Sequence, residues 1–489
     1  MTNVTYIGTR DKNIKLTASE AILKGICPDG GLFIPDEMPK MEKSLDELAK
    51  MDYRDLAYEV MSLFFTDFTE DELRYCINSA YDDKFDTKEI APVVEKDGLY
   101  FLELFHGKTI AFKDMALSIL PYLMKTSAKK NDTHKEIVIL TATSGDTGKA
   151  ALEGFADVEG TRIIVFYPEG GVSPVQRRQM VTQKGKNVCV AGITGNFDDA
   201  QSAVKSIFTD EQMIKDLDAK GFVFSSANSI NIGRLIPQVA YYWYAYCQLI
   251  KKGRIQSGDL INFTVPTGNF GNILAGYFAK KMGLPVNKFI CASNSNKVLY
   301  DFFKTGTYNK NREFILTTSP SMDILISSNL ERLVCMLTSQ GETAKLMKSL
   351  SENGEYTITA KAEDIIGEFS DEEETATAIR TMYTNAEYVL DTHTAVAYAA
   401  YDKYVKETGD NTPTIIISTA SPYKFAKDVC VAIDDKYKDR DPFELMDELE
   451  KISGVKIPAP VKDIEKREIL HSNLCEREKI KDFVKEVLE

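Results

Sequence analysis

A lysine in an apolar stretch is the first residue of this sequence with a chemistry of its own. Lys113 follows Ala111 and Phe112 in the segment HGKTIAFKD, which runs from His106 to Asp114. Burial disfavours the ammonium form of such a side chain and lowers its pKa, and the free amine is a nucleophile that can form a Schiff base. Alone, Lys113 is weak evidence for a Schiff-base site, because a lysine on a part-exposed helix is usually a solvated charge.

A polar turn between a strand and a helix has residues suited to binding an anion. The turn TGNFGN spans Thr267 to Asn272, and its two glycines let the backbone approach an anion at a helix N-terminus. It matches neither G-x-G-x-x-G nor G-x-x-x-x-G-K-[ST], so a small phosphate monoester is a better candidate than a nucleotide. The alternative is an ordinary turn with an Asn cap.

A second turn of the same kind, TSGDTG, spans Thr143 to Gly148. Its hydroxyls at Ser144 and Thr147, together with nearby N–H groups, are suited to a carboxylate. A helix cap followed by a glycine turn explains the same residues without any ligand. Two anion-suited turns and an amine candidate in one chain make the functional interpretation more attractive than any one of them does.

Other polar residues carry less weight. The segment ISTASPYKF places the hydroxyl of Thr419 at the end of an apolar strand, where it can hydrogen-bond to a ring nitrogen. His106 and His393 lie in motif-like segments, and we interpret both as buried, hydrogen-bonded histidines. The sequence has no H-E-x-x-H and no nucleophile elbow, so a protease or lipase has no support.

The elements that must position these residues alternate in type. From about Glu136 onward, short runs rich in Ile, Val and Phe are each followed by a polar turn and a helix-like stretch; the runs are EIVILTAT, RIIVFYP, LINFTVP and TIIIST. Such runs are typical of parallel strands covered on both faces, and their alternation with helices predicts an α/β fold. These sheets bind ligands at the C-terminal ends of their strands, where the polar turns lie.

The composition changes twice along the chain. Residues 1–92 are rich in helix-forming segments and predict a separate N-terminal unit, and residues 93–436 contain the strand-and-helix pattern of the main α/β domain. Residues 437–489 are charged and predict a C-terminal helical extension. The apolar stretch 236–250 contains a proline and two glutamines and is too short for a bilayer, so it predicts a buried helix.

The overall composition excludes several classes of function. The chain has 489 residues, of which 44% are hydrophobic and 27% charged, as in ordinary globular proteins. Its formal charge of −14 argues against a nucleic-acid partner. The eight cysteines contain no C-x-x-C pair, which argues against a zinc site and a disulfide framework. We expect a cytoplasmic protein without a metal and without a membrane partner.

Taken together, these segments resemble the threonine synthase family, within the tryptophan-synthase-β-like (fold type II) pyridoxal-phosphate enzymes. The resembling segments follow in family order and cover nearly the whole chain: PDGGLFIP, ELFHGKTIAFKDMAL, ATSGDTGKAALEGF, SPVQRRQM, NFDDAQ, SSANSINIGRLIPQVAYY, VPTGNFGNILAG, SPSMDILISSNLERL, THTAVA and STASPYKF. The resemblance implies two lobes of parallel sheet flanked by helices, with a helix-rich N-terminal domain. It also implies a lyase that converts the small-molecule substrate O-phospho-L-homoserine to L-threonine, as a monomer or homodimer.

The resemblance further implies a role for each motif residue. The residues implied for pyridoxal phosphate are Lys113 as the Schiff-base lysine, Gly268, Asn269, Phe270, Gly271 and Asn272 around the phosphate, and Thr419 beside the pyridine nitrogen. The residues implied for the substrate are Ser144, Gly145, Asp146 and Thr147 at its carboxylate, and Arg234 with Asn228, Ser229 and Asn231 at its phosphate.

Several positions depart from the family pattern. The departures are Lys108 for a proline, Asn272 for an aspartate, Thr392 for a proline, and Ser421 and Tyr423 in the segment STASPYKF. They bear on fine specificity, since the Schiff-base lysine and the glycines remain. Two alternatives stay open: a serine or threonine dehydratase on the same scaffold, and a non-catalytic homologue that binds pyridoxal phosphate.

Overall fold

The apolar runs of the sequence form the strands of the sheets. The structure is a computed structural model that describes residues 3–143, 145–195, 197–208 and 210–489. Within those residues the strands are β1 (Tyr6–Gly8), β2 (Lys15–Leu16), β3 (Phe33–Pro35), β4 (Val93–Lys96), β5 (Leu99–Glu103), β6 (Glu136–Ala142), β7 (Thr161–Pro168), β8 (Val188–Thr194), β9 (Phe222–Ser225), β10 (Ile261–Pro266), β11 (Val286–Ser293), β12 (Thr307–Asn309), β13 (Glu355–Thr357), β14 (Ile365–Phe369), β15 (Thr414–Ser418) and β16 (Asn473–Glu476).

Two of the sheets are built from parallel strands. The larger has the order β14-β11-β10-β15-β5-β4, and the second has the order β16-β8-β7-β6-β9. Neighbouring strands run parallel in both, except that β4 pairs antiparallel with β5 at the edge of the larger sheet. Strand β10 is buried along its whole length, as expected for a strand covered on both faces. The predicted α/β fold with two lobes of parallel sheet is confirmed.

Several helices begin at caps that the sequence displays. Thr17, Thr69 and Ser173 each form a capping box with the Glu or Gln three residues later. The α-helices of the described residues are α1 (Ala18–Lys24), α2 (Leu45–Leu48), α3 (Tyr53–Ser62), α4 (Glu70–Ala80), α5 (Asp114–Leu117), α6 (Leu120–Lys130), α7 (Asp146–Phe155), α8 (Pro174–Val181), α9 (Phe197–Phe208), α10 (Glu211–Ala219), α11 (Ile232–Lys251), α12 (Gly271–Met282), α13 (Val298–Thr305), α14 (Leu330–Leu337), α15 (Gln340–Glu352), α16 (Glu372–Ala386), α17 (Thr392–Thr408), α18 (Ala426–Ile433), α19 (Glu444–Ser453) and α20 (Ile480–Leu488).

Helix α11 lies at the centre of the structure. Every residue of it from Ile232 to Leu249 is buried, and it packs against both α3 and α12. The buried helix predicted for 236–250 is therefore confirmed, with an earlier start. Along the described ranges we find no helix with the length and apolar character that crossing a membrane requires.

The two terminal segments pack onto the central sheets. Strands β1 to β3 form a small antiparallel sheet, and Tyr6 and Phe64 belong to the same buried cluster as Tyr242 of α11 and Phe263 of β10. At the other end, β16 pairs parallel with β8 in the second sheet. The extension predicted as helical thus also supplies an edge strand. The sequence concealed it because Asn-Leu-Cys-Glu is short and has no β-branched residue.

A glycine sets the distance between α5 and α7, the helices that begin at the motif lysine and at the TSGDTG turn. A Cβ atom at Gly154 would lie 2.1 Å from the carbonyl oxygen of Leu117 in α5. No side chain fits in that space, so the two backbones meet there directly. The contact therefore fixes the distance between α5 and α7.

We expect Gly154→Ala to destabilise the fold by about 1–3 kcal/mol, because the added methyl group overlaps backbone rather than a movable side chain. The matched control is Gly341→Ala in α15, where a Cβ meets no atom within 4 Å. That change should stabilise by a few tenths of a kcal/mol up to about 1 kcal/mol. Urea unfolding midpoints measure both. Equal midpoints for Gly154→Ala and the unchanged chain would contradict the assigned packing.

Candidate active site

Lys113 is held at the end of the larger sheet by backbone contacts. Ala111 forms a β-bridge with Ala420, and the N–H of Phe112 donates to the carbonyl of Thr419 over 2.8 Å, just past the end of β15. Helix α5 begins directly after the lysine. The lysine predicted as a desolvated amine is confirmed as largely buried, with 11% of its side chain exposed.

The carboxylate of Asp146 contacts the Lys113 amine and three other side chains. The amine nitrogen of Lys113 lies 3.6 Å from Oδ2, and the Oγ of Ser321 donates to the same oxygen over 2.9 Å. On the other oxygen, Lys424 makes an ion pair at 3.0 Å and the amide of Gln176 donates over 3.0 Å. Lys113 also donates to Ser321 Oγ over 3.4 Å. One carboxylate therefore serves two lysines.

This sharing moves the pKa of both groups. Burial acts to raise the pKa of Asp146, but the ammonium groups of Lys424 and Lys113 outweigh it and hold that pKa well below its usual range. Burial lowers the pKa of Lys113 below its ordinary value, Lys424 and Arg234 act in the same direction, and Asp146 opposes them. The site therefore combines an ionised carboxylate with a lysine shifted towards the free amine.

The turn from Thr267 to Asn272 follows β10 and leads into α12. Phe270 adopts a left-handed conformation with φ of 64°, and α12 begins after it without a side-chain cap. The backbone of the turn is docked on a second loop: Ser327 Oγ donates to the carbonyl of Gly268 over 2.6 Å, and the Asn329 amide donates to the carbonyl of Asn269 over 2.9 Å. A helix start with free N–H groups suits an anion.

Contacts at this turn explain why a glycine stands at 268 and an asparagine at 272. A Cβ at Gly268 would lie 2.7 Å from the carbonyl oxygen of Ser321, so the position requires glycine. The Oδ1 atom of Asn272 accepts from the hydroxyls of Tyr241 and Tyr242, each over 2.7 Å. Its Nδ2 atom is buried and has no hydrogen-bond partner among the described residues. That nitrogen is a donor left available at the start of α12.

Arg234 is a second buried group with unused donors. Its side chain lies near the start of α11, where Nη1 donates to the carbonyl of Ala227 over 3.0 Å. Its Nε atom has no partner within the described part of the chain, and burial lowers the pKa of the guanidinium to about 10. A buried cation with a free donor is costly without a ligand, so the group is suited to an anion.

The polar residues near Arg234 differ in their hydrogen-bond partners and in their exposure. The side chain of Asn231 caps α11 by accepting from the N–H of Gly233 over 2.8 Å, and it donates to the carbonyls of Ile22 and Ser226. The oxygen and the nitrogen of this side chain thus both have partners within the protein. Asn231 therefore fixes the start of α11, where Arg234 lies, and is not free for a ligand. Ser229 accepts from the Asn329 amide over 3.4 Å, which brings it beside the turn at 267–272. Asn228 is exposed.

The turn expected to bind a carboxylate is built around Thr143, whose Oγ1 accepts from the N–H groups of Gly145 and Gly148, each over 2.9 Å. Gly145 has φ of 136°, and a Cβ there would overlap the side chain of Gln176. Thr147 is half-buried, and Ser144 lies outside the described residues. Asp146 faces the two lysines, so we reassign its carboxylate from the substrate to them.

Several residues of the site were missed from the sequence. Ser321 lies in a short 3-10 helix, and its N–H donates to Nε2 of His393 over 3.1 Å. His393 is buried, as predicted, and its Nδ1 lies 3.0 Å from Oδ1 of Asp391. Lys424 stands one residue after the departure Tyr423 in STASPYKF. Only the pairing of distant segments shows that these side chains meet.

His106 lies outside this cluster, at the start of the chain segment that leads to Lys113. Its ring bridges Asp86 Oδ1 at 2.6 Å and Glu103 Oε2 at 3.0 Å, and the hydroxyl of Tyr388 donates to the other oxygen of Glu103. It is half-buried rather than fully buried as predicted. Burial acts to lower the pKa of His106, but the two carboxylates outweigh it and raise the pKa to about 9.

The stabilisation from His106 should depend on pH. Because its folded pKa of about 9 exceeds the ordinary 6.5, its pairing stabilises fully below pH 6.5 and is lost as pH rises through about 9. We expect His106→Gln to lower the melting temperature more at pH 6 than at pH 10. His134→Gln, at an exposed histidine, is the control. An equal loss for His106→Gln at both pH values would show that the charge of the ring contributes nothing.

The comparison with known proteins defines first the class and then the family. A family profile described as "Pyridoxal-phosphate dependent enzyme" matches residues 87–420. The chain is therefore a pyridoxal-phosphate-dependent enzyme, as its α/β fold and buried lysine suggest. Two further profiles, "Threonine synthase N terminus" and "Threonine synthase, C-terminal", match residues 5–81 and 394–484.

Individual relatives agree with these profiles over almost the whole chain. The threonine synthase of Schizosaccharomyces pombe is 37% identical, with 88% of this chain and 89% of that protein covered. The crystal structure of threonine synthase from yeast has a TM-score of 0.88 at 32% identity, and that of the pyridoxal-phosphate-bound threonine synthase from Brucella melitensis a TM-score of 0.86 at 33%; each match covers 99% of both chains. This chain belongs to the threonine synthase family.

Proposed function

We propose that this chain converts O-phospho-L-homoserine and water to L-threonine and inorganic phosphate. Membership of the family supports the reaction, and one observation in the site supports the substrate class. Lys113 and Lys424 are largely buried and contact the carboxylate of Asp146, and the guanidinium of Arg234 is buried with an Nε that has no partner among the described residues. Buried cations with unused donors suit a substrate that carries both a carboxylate and a phosphate.

The residues of the site fit pyridoxal phosphate. We propose that Lys113 carries the cofactor, that the backbone from Gly268 to Asn272 binds its phosphate, and that Thr419 contacts the pyridine nitrogen. The buried amine of Lys113, the uncapped start of α12 and the unpartnered Nδ2 of Asn272 support this assignment. When bound, the cofactor supplies an electron sink for the charge that develops at the substrate Cα.

Lys113 is the base in this proposal. Its Nζ takes a proton from the substrate Cα and, after passing that proton on, takes one from Cβ. Phosphate leaves from Cγ with the electron pair of the C–O bond, and Cγ gains a proton. Water adds its hydroxyl at Cβ, its other proton goes to the phosphate, and a proton returns to Cα. A base on a flexible four-carbon stem can reach both carbons. The lowered pKa of Lys113 favours the free amine that this work needs.

The substrate is held at both ends. We propose that Arg234 binds its phosphate, with Ser229 and Asn228 nearby, and that Asn231 acts by fixing the start of α11. We propose that the carboxylate meets the start of α7 at Gly145 and Thr147, together with Ser144. Gln176, which packs against Gly145 and donates to Asp146, keeps that turn in place. Closure of the site around the substrate keeps water out until the addition step.

We also propose that the enzyme works in the cytoplasm as a monomer or homodimer. All eight cysteines are free thiols, and seven of them are buried, which suits a reducing compartment.

Incubation of the cofactor-loaded protein with O-phospho-L-homoserine should release threonine and phosphate in equal amounts. Lys113→Ala should abolish both products and the absorbance of the lysine-bound cofactor, because the amine is lost. Amino-acid analysis and a phosphate assay measure the products. Phosphate accompanied by 2-oxobutyrate would mean elimination without water addition. Turnover of unphosphorylated threonine or serine would favour the dehydratase alternative.

Arg234→Gln should raise the KM for O-phospho-L-homoserine about 10- to 100-fold, because a charge-assisted bond to the substrate phosphate is lost. Steady-state kinetics measure the change, and the cofactor absorbance checks that the site stays loaded. Arg254→Gln is the control, since that arginine is half-exposed and pairs with Glu95 at the surface. An unchanged KM for Arg234→Gln would remove Arg234 from the substrate site.

A further inference from the structure

Lys424 is a fully buried charged group of the site. Its side chain has 0% exposure, and its Nζ contacts the carboxylate of Asp146 and the carbonyl of Thr109, each at 3.0 Å. Lys113 is more weakly held, with Asp146 Oδ2 at 3.6 Å and Ser321 Oγ at 3.4 Å. The two lysines therefore compete for one negative charge, and Lys424 has the shorter contact.

This competition has a chemical consequence. A buried ammonium is stable only when it is paired, and one carboxylate balances only one of two ammonium groups. A carbonyl oxygen accepts from an ammonium, so the contact with Thr109 adds to the preference of Lys424 for its charged form. The other lysine is then favoured as a neutral amine.

We propose that Lys424 is a positioning residue whose ammonium takes up the charge of Asp146, so that Lys113 remains a free amine for the cofactor and for the substrate proton. The proposal rests on the function proposed above, since it explains how the base of that reaction is kept unprotonated. Lys424 acts through Asp146, which it contacts.

The local fold presets the position of Lys424. Ser421 caps the short 3-10 helix from Pro422 to Phe425, and the hydroxyl of Tyr423 donates to the carbonyl of Val455 in the C-terminal extension. The N–H of Ser421 donates to the carbonyl of Ile110 over 3.0 Å, on the strand-like segment that precedes Lys113. The two departures from the family pattern thus hold the turn that carries Lys424.

The acceptor Thr109 is fixed as well. Its N–H and its hydroxyl donate to the two oxygens of Asp114 over 2.8 and 2.6 Å. The segment that carries Lys113 is therefore tied at one end to Asp114 and, through the Thr109 carbonyl, to Lys424. The contacts that favour the ammonium form of Lys424 over that of Lys113 are thus made within the protein itself.

No other carboxylate within the described ranges makes an ion pair with either lysine. The charged and titratable groups that face the three partners are Arg234 towards Lys113, His393 towards Asp146, and Asp114, with Glu153 behind it, towards Lys424. Neither Arg234 nor His393 supplies a negative charge, and both oxygens of Asp114 accept from Thr109. Asp146 is thus the group whose charge the lysines divide.

The test measures the amine of Lys113 directly. The full-length chain is freed of cofactor, and the rate at which added pyridoxal phosphate becomes attached is followed by absorbance across a range of pH. The rate rises as the amine loses its proton, so the midpoint of the profile reports its protonation. The acid limb of kcat in the loaded enzyme gives a second profile, because kcat reports the complex with substrate, in which Lys113 acts as the free base.

We expect Lys424→Gln to move the midpoint up by about one pH unit or more, which is about tenfold less free amine at neutral pH. The glutamine amide of this variant still donates to the carbonyl of Thr109 but has no charge. The carboxylate of Asp146 therefore pairs with Lys113 and stabilises its ammonium form. Lys424→Arg keeps the charge and should keep the midpoint, even if the larger group lowers the rate. The double variant Lys424→Gln with Asp146→Asn should restore the low midpoint, because the carboxylate that would retain the proton is gone.

Other results would separate the proposals. Equal midpoints for the unchanged chain and Lys424→Gln, in protein that makes threonine, would overturn the role of Lys424 and leave the proposed function in place. An equal upward shift in Lys424→Arg would show a purely structural role and also overturn it. The expected shifts in protein that forms no threonine would support the role of Lys424 and overturn the proposed function. If Lys424→Gln does not fold, Lys424→Met gives the same comparison.

Discussion

The carboxylate of Asp146 is the point on which the site depends. It is buried at the first residue of α7, and four side chains from four other segments converge on its two oxygens. A buried negative charge is stable only with such partners, and their positions follow from the need to satisfy it. The position of Lys113 therefore depends on this buried charge.

The surroundings of this carboxylate explain how an acidic protein binds an anion. The formal charge of the chain is −14, yet its site contains three largely buried cations, Lys113, Lys424 and Arg234. The donors left unused among the described residues, Nε of Arg234 and Nδ2 of Asn272, lie at the starts of α11 and α12, and α12 begins without a side-chain cap. Local donors within a low-dielectric interior outweigh the remote surface charge, which salt screens.

The terminal segments contribute to the site by packing against the elements that carry its residues. The N-terminal helices share one buried cluster with α11, and so support the helix that carries Arg234. The C-terminal extension accepts the hydroxyl of Tyr423 and completes an edge of the second sheet with β16. These contacts are hydrophobic or backbone-mediated, which makes them tolerant of sequence change as long as burial and pairing are kept.

The sequence alone determined the class of fold, the buried α11, the two anion-suited turns and the candidate lysine, because strand runs, glycine turns and helix caps are local signals. It did not show β16, whose short polar strand has no local signature, and it did not show that Lys424, Ser321 and Gln176 meet Asp146. Those four residues come from separate parts of the chain. Which charges share a partner is set by long-range packing, so only the tertiary structure decided that Asp146 contacts two lysines.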